Sequence, residues 1–148
     1  AGALRNVLTD LSDQDRRQAL DALARKDVDA LLALQAKVPE LAVLQHAYGE
    51  LQSVLDSVCE MAPFTRACAD IRHVMSALRV DSVDWYCDLG ETHGFQYHTG
   101  LVFGIYALTR DQLLVRGGRY DHVGESFGRA RAATGFSADL KTLVRLAN

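Results

Sequence analysis

Two short segments in the second half of the chain combine residue types that bind small ligands. The segment GFQYHTG, residues 94–100, places Tyr97 beside His98 at the expected start of a β-strand. Because neighbouring side chains of a strand point to opposite faces, we expect only one of the two rings to serve a given pocket. The segment taken alone favours a simpler interpretation, in which both rings pack the sheet.

The second segment is RGGRYD, residues 116–121. Glycine lets a ligand approach the backbone closely, and an arginine can hold a carboxylate or a phosphate through two hydrogen bonds. We therefore expect Gly117 and Gly118 to end a strand and to form a flexible loop beside Arg119 and Tyr120. The alternative, favoured by this segment alone, is a tight turn closed by an ion pair between arginine and aspartate.

Other catalytic patterns are weak or absent from the sequence. A metal site could be considered at three histidines, His93, His98 and His122. No carboxylate is spaced to complete a known ligand set, so we favour solvated or packed histidines. We predict no metal and no cofactor. The sequence lacks a serine triad signal, a phosphate-loop lysine and the dinucleotide glycine fingerprint.

Composition indicates one globular domain over residues 1–148. Hydrophobic residues make up 49% of the chain and charged residues 24%, which excludes a disordered or fibrous protein. The apolar runs are far shorter than the roughly 18 residues that a membrane span needs, and no leader opens the chain. Three cysteines without a C-x-x-C pair argue against a disulfide framework. We expect a cytoplasmic protein.

The charge balance argues against autonomous nucleic-acid binding. Residues 1–79 carry 9 Lys and Arg against 11 Asp and Glu, and residues 80–148 carry 7 against 8. Neither half offers the positive surplus that would neutralise a phosphate backbone.

Apolar residues at helical spacing predict that residues 1–79 are all helical. Ser12 and Asp27 are expected N-caps, Pro39 suits the first turn of a fourth helix, and Gly49 is its expected C-terminal stop. A fifth stripe begins at Leu51. The longest stripe follows Pro63 and holds one face for about four turns; its members are Phe64, Ala67, Cys68, Ile71, Val74, Met75 and Leu78.

The period changes to two near Val80, which predicts an antiparallel sheet. We expect a first strand over residues 83–89, a second over 95–108 that returns beside it as a hairpin, a turn over 109–112, and a third strand over 113–116. Ser137 or Asp139 would cap a closing helix. Helices followed by an antiparallel sheet and one more helix make an α+β fold.

Three segments in this order and spacing resemble the second half of the histidyl-tRNA synthetase catalytic domain. They are GFQYHTGLVF, GGRYD and GFSADL, the last at residues 135–140. The helical part, with LDALARKDVDALL at residues 20–32, looks more like a paralogous family, the regulatory subunits of ATP phosphoribosyltransferase. The resemblance implies a class II aminoacyl-tRNA synthetase-like fold. Residues 1–79 would be an insertion-like part, and residues 80–148 a sheet with a strand and helix like the third class II motif.

The resemblance also implies a ligand pocket and two departures from the synthetase pattern. The histidine-like pocket would comprise Tyr97, His98, Thr99, Gly117, Gly118, Arg119 and Tyr120. His93 and Thr142 stand where the synthetase carries arginines that act on ATP. Since a neutral imidazole or a hydroxyl cannot replace a permanently charged guanidinium, we expect no catalysis.

The expected role is that of a non-catalytic regulatory subunit of ATP phosphoribosyltransferase. By resemblance it would assemble with a short-form catalytic subunit, activate it, and confer feedback inhibition by histidine on the first step of histidine biosynthesis. Two alternatives stay open: a fragment of a genuine histidyl-tRNA synthetase, and a binding module without a metabolic partner.

The start of the sequence suggests a piece of a longer protein. The chain opens with Ala1 and enters helical periodicity at once, so we expect a fragment or a processed product. An open sheet edge would then make it self-associate, and we expect a two-fold dimer.

Overall fold

A computed structural model of the chain describes residues 2–44, 47–107, 112–125 and 128–147. Contacts between residues divide the chain into two compact units, residues 1–95 and residues 96–148. The division lies beyond residue 80, where the sequence changes period. None of the helices that the structure describes is both long and apolar enough to cross a membrane.

The first unit is mainly helical, although not all helical as predicted, and local capping explains where its helices begin. Its helices are α1 (Gly2–Val7), α2 (Asp13–Arg25), α3 (Val28–Leu34), α4 (Glu40–Leu44), α5 (Leu51–Val58) and α6 (Thr65–Ala77). The Ser12 hydroxyl accepts from the Asp15 amide at 3.1 Å, and the Asp27 carboxylate accepts from the Ala30 amide at 3.1 Å. Both expected N-caps are confirmed.

The apolar stripes of these helices form one core. Phe64, which precedes α6, is completely buried. The apolar stripe predicted after Pro63 continues to the C-terminal end of α6, where it is open to solvent, with Val74 40% and Leu78 39% exposed. The other large side chains that are almost fully buried in this core are Leu4, Leu8, Leu23, Leu31, Leu41, Leu44, Val58 and Cys68.

Two predictions for the first unit are wrong. Residues 48–50 do not continue a helix to a stop at Gly49; they form strand β1 (Tyr48–Glu50). This strand pairs antiparallel with β2 (Tyr86–Asp88), so β2 does not form a hairpin with the strand that follows it. The pairing joins segments far apart in sequence, and a strand of three residues is too short to show a period.

The chain leaves the first unit through a segment held by two cations. The Lys26 ammonium pairs with the Asp88 carboxylate at 2.5 Å. The Arg5 guanidinium donates to the Phe95 carbonyl at 2.9 Å and lies over the Phe95 ring, 5.1 Å from its centroid. Since α1 is anchored by buried Leu4, these contacts fix the last residues of the unit on its core.

The second unit is an antiparallel sheet followed by a helix, the α+β arrangement that the sequence predicts. Strand β4 (Gln112–Val123) lies between β3 (Val102–Ala107) and β5 (Arg131–Ala138), and helix α7 (Leu140–Ala147) follows. Asp139 caps α7, since its carboxylate accepts from the Lys141 and Thr142 amides at 3.1 and 3.2 Å. Of the two expected caps, Asp139 is the correct one.

Strand boundaries in this unit differ from the predicted ones. The strand expected over 95–108 begins only at Val102, because residues 95–97 lie in a turn that Gly94 enters with φ +70°. The strand expected to stop before Gly117 continues through both glycines to Val123. The predicted turn over 109–112 lies outside the described residues except for Gln112, which belongs to β4.

Candidate functional site

Gly117 and Gly118 lie in the middle of β4, where both are buried. They pair with Phe103 and Val102 on one side and with Phe136 and Gly135 on the other. A Cβ atom on Gly118 would lie 2.5 Å from Cδ2 of His98, and one on Gly117 would lie 2.7 Å from the Phe103 ring. The expected flexible loop is therefore wrong, because these glycines serve close packing across the sheet.

The sheet of the second unit has one face built from glycines covered by aromatic rings. On this face the Tyr106 ring lies over Gly104, the His98 ring over Gly118, and the Tyr120 hydroxyl over Gly135. We call it the glycine-floored face. Side chains alternate along β4, so Arg116, Gly118 and Tyr120 belong to it, whereas Gly117 and Arg119 belong to the opposite face.

Three rings of this face form one cluster. The centroid of Tyr97 lies 5.6 Å from that of His98 and 5.0 Å from that of Tyr120, and His98 and Tyr120 are 5.4 Å apart. His98 is only 8% exposed, whereas Tyr97 is 67% exposed. The alternation from which we expected only one of Tyr97 and His98 to serve a pocket does not apply here, because Tyr97 ends a turn over residues 93–97 and His98 precedes β3.

Thr99 ties this turn to β4. Its amide donates to the Arg119 carbonyl at 2.9 Å, and its hydroxyl accepts from the Asp121 amide at 3.0 Å. The Arg119 amide in turn donates to the Leu101 carbonyl at 2.9 Å. These bonds hold the residues before β3 against β4 and so fix the backbone that carries the cluster.

Arg119 is engaged on the other face of the sheet. Its Nε donates to the Asp121 carboxylate at 2.8 Å, which is the ion pair that the simpler interpretation of this segment predicts. The bond from Arg119 lowers the pKa of Asp121 below its ordinary value of 3.8. Of the predicted pocket residues, the structure therefore gathers Tyr97, His98, Gly118 and Tyr120 on one face, and it places Gly117 and Arg119 on the other.

Arg116 shares the glycine-floored face, although it was not among the predicted pocket residues. It pairs in register with Gly104 of β3 and Ser137 of β5, and its side chain is partly buried. The signal that would have found it is the alternation of residues 116, 118 and 120. This signal is ambiguous in the sequence, because two successive glycines are also typical of the end of a strand.

His93 and Thr142 have different surroundings. His93 is exposed, and its amide donates to the Glu91 carboxylate at 2.6 Å. Thr142 is only 4% exposed; its hydroxyl donates to Asp139 Oδ2 at 2.8 Å and accepts from the Gln112 amide nitrogen at 3.2 Å. Bonds from Thr142 are the main reason that the pKa of Asp139 lies below its ordinary value of 3.8. Among the described residues, no group of three or more histidine, cysteine or acidic side chains is arranged to hold a metal ion.

Comparisons with known proteins agree on one family for this chain. A family model described as histidyl-tRNA synthetase matches residues 2–143. A protein of Pseudomonas syringae pv. syringae (strain B728a) named ATP phosphoribosyltransferase regulatory subunit is 43% identical over 92% of this chain. The protein of the same name from Stutzerimonas stutzeri is 41% identical over 92% of the chain. The chain spans 37% of the length of each of these relatives.

Solved structures share the fold. A structure described as an ATP phosphoribosyltransferase regulatory subunit/histidyl-tRNA synthetase from Bacillus halodurans superposes with a TM-score of 0.73 at 23% identity, covering 99% of this chain and 41% of that one. A chain of the ATP phosphoribosyl transferase (HisG:HisZ) complex from Thermotoga maritima gives 0.71 at 16% identity, covering 93% and 50%. The expected class II synthetase-like fold is confirmed.

The tight packing at Gly118 predicts the effect of one added methyl group. In Gly118→Ala the new Cβ would meet the buried His98 ring at 2.5 Å and the Leu101 carbonyl at 3.0 Å. We expect the sheet to lose about 1–3 kcal/mol of stability, as other overpacked sites do. Native-state hydrogen exchange of the β4 amides measures this loss.

Gly104→Ala is the matched control. Its Cβ would meet only the ends of the Tyr106 and Leu113 side chains, at 3.0 and 3.3 Å, which can move aside. Equal exchange rates in the two variants would contradict the packing described for Gly118.

Proposed function

The chain belongs to the histidyl-tRNA synthetase family, and from this premise we propose that the protein containing it is a non-catalytic regulatory subunit of ATP phosphoribosyltransferase. The observation that carries the proposal is the 43% identity, over 92% of the chain, with a relative of that name. The subunit would act in the cytoplasm on the first step of histidine biosynthesis.

The surroundings of Thr142 support the absence of synthetase catalysis. By resemblance, this position would carry an arginine that holds ATP. Here the side chain is buried and its hydroxyl is used to cap α7 through Asp139. The other such position, His93, offers an imidazole in place of a permanent positive charge. In the synthetase, the two arginines would stabilise the negative charge that develops when the adenylate forms. The loss of one such group typically costs on the order of 3 kcal/mol of transition-state stabilisation, and here both are replaced.

We therefore predict that the full-length protein does not form histidyl-adenylate. Histidine-dependent exchange of pyrophosphate into ATP should stay at the background rate, with a genuine histidyl-tRNA synthetase as the positive control. Exchange well above background would contradict the proposal. It would instead support the alternative, that the chain is part of a catalytic histidyl-tRNA synthetase, the protein after which the family is described.

The proposed partner is a short-form catalytic subunit that condenses ATP with phosphoribosyl pyrophosphate. Activation and feedback inhibition require the complex to have at least two states, which histidine binds with unequal affinity. The cluster of Tyr97, His98 and Tyr120 on the glycine-floored face is the proposed histidine site, because the exposed ring of Tyr97 offers a surface on which an imidazole can stack.

A further prediction concerns this partner. Adding the full-length protein to a short-form catalytic subunit should increase the rate of phosphoribosyl-ATP formation, and the increase should saturate at a fixed ratio of the two. Serum albumin at equal concentration is the control for non-specific stabilisation. A rate that does not change at any ratio would favour a binding module without this partner.

We also propose that the 148-residue chain self-associates through β5. Within the described residues β5 pairs only with β4, and residues 132–138 carry no charge or proline that would protect the other edge. Phe136 is 71% exposed on this strand, and Leu140 of the helix that follows is 71% exposed. Two β5 strands that pair antiparallel can be related by a two-fold axis, which is the symmetry of the expected dimer.

Light scattering behind a sizing column should therefore detect a dimer at high micromolar concentration. Phe136→Lys should shift it to monomer, because it removes apolar surface and places a charge on the edge. Tyr86→Lys, at a side chain 74% exposed on β2, is the matched control and should remain dimeric. A monomeric parent chain would contradict the proposal.

A further inference from the structure

Lys26 has a backbone conformation that is unfavourable for a lysine. It follows α2 with φ +54° and ψ +38°, in the left-handed region, and its amide donates to the Ala22 and Leu23 carbonyls. Apart from glycines, only Lys26 and Ser82 among the described residues have a positive φ. Glycine is the usual residue at this place after a helix, because it has no Cβ to clash. A lysine here indicates that its side chain contributes something that glycine could not.

The Lys26 side chain joins the end of α2 to strand β2, 62 residues further along the chain. Its ammonium pairs with Oδ2 of Asp88 at 2.5 Å and lies 5.2 Å from the centroid of the Tyr48 ring on β1. The Lys26 side chain is 41% exposed and that of Asp88 28%, so solvent screens the pair only in part. One cation thus contacts both strands of the β1–β2 sheet.

Asp88 also fixes the backbone that follows β2. Its Oδ1 accepts from the Gly90 amide at 2.9 Å. Gly90 is buried against α2, where a Cβ on it would lie 3.2 Å from Cδ2 of Leu23. The far end of the same segment is held at Phe95, whose carbonyl accepts from Arg5. Residues 88–95 therefore lie on the helical core as a strap with a cation at each end.

The strap has fewer buried anchors than the core beneath it. Strands β1 and β2 pair over three residues each, and a two-stranded sheet alone is only marginally stable in water. Between the two cations, Glu91, His93 and Gly94 are exposed, whereas Leu23 of the core is 1% exposed. Segments with few buried contacts open locally while the rest of a protein stays folded, and moving parts of proteins are drawn from such segments.

We propose that the strap opens without unfolding of the helical core, and that the Lys26–Asp88 ion pair is the clasp that holds it closed. The unfavourable backbone of Lys26 then serves to place an ammonium where glycine would leave none. Because the pair is partly exposed, its strength falls as ionic strength rises, so salt shifts the strap toward its open state. This conformational device belongs to the first unit and does not depend on the proposed function.

Native-state hydrogen exchange of the full-length protein measures the opening, read at the Leu89 and Gly90 amides of the strap. Lys26→Met keeps an unbranched side chain and removes the charge. We expect these two amides to exchange about 5-fold faster in this variant, the effect of one partly exposed ion pair, and the Leu23 amide of the core to keep its rate. Raising the salt concentration to about 1 M should accelerate strap exchange in the wild type but not in Lys26→Met.

Lys26→Gly separates the clasp from a general effect on stability. Glycine relieves the left-handed backbone, which offsets the lost ion pair, so global unfolding should change little. The strap amides should nevertheless exchange as fast as in Lys26→Met, because the backbone of residue 26 is the same whether the strap is open or closed. Lys26→Arg keeps the charge and should retain most of the protection.

Lys37→Met is the matched control, because Lys37 forms another long-range pair of the same unit, with Asp15 at 2.7 Å, and lies outside the strap. It should leave the strap amides at the wild-type rate. The proposal is overturned if Lys26→Gly leaves them at that rate, or if Lys37→Met accelerates them as much as Lys26→Met does. It is also overturned if strap and core amides of the wild-type protein share one opening equilibrium.

Discussion

The absence of side chains at Gly117 and Gly118 is the constraint on which the second unit depends. These residues lie in the central strand, with the Phe103 ring against one and the His98 ring against the other, on opposite faces of the sheet. Any Cβ at either position would force the strands apart or displace a ring. The glycines thus let the two rings lie directly against the faces of the sheet, and in this position His98 is within ring contact of Tyr97 and Tyr120.

The sequence predicted those features that depend on neighbours along the chain. Ser12, Asp27 and Asp139 cap helices through bonds to amides two or three residues away, and such bonds have a recognisable local pattern. Strand β1 was missed because its partner, β2, lies far along the chain. The site was predicted only in part, because the same two glycines that suggest a loop can also make room for rings, and only tertiary packing distinguishes the two.

The cysteines of the first unit are chemically unreactive. Burial raises the pKa of Cys68 to about 12 and that of Cys87 to about 11, so neither thiol forms the reactive thiolate near neutral pH. The polar contacts that matter lie at its exit, where Lys26 and Arg5 hold Asp88 and Phe95. These contacts fix the last residues of the first unit on its own core.

Position 142 illustrates a constraint on side chains at the start of α7. A side chain in the first turn of α7 can either cap the helix inward or reach outward to a ligand, and a single residue cannot do both. Thr142 is committed inward, with its hydroxyl between Asp139 and Gln112 and almost no exposed surface. An arginine there would have to leave this network to meet a nucleotide, and the cap would lose a bond. The bonds described for the ring cluster of the glycine-floored face do not include Thr142, Asp139 or Gln112, so the geometry of that cluster does not depend on which residue occupies position 142.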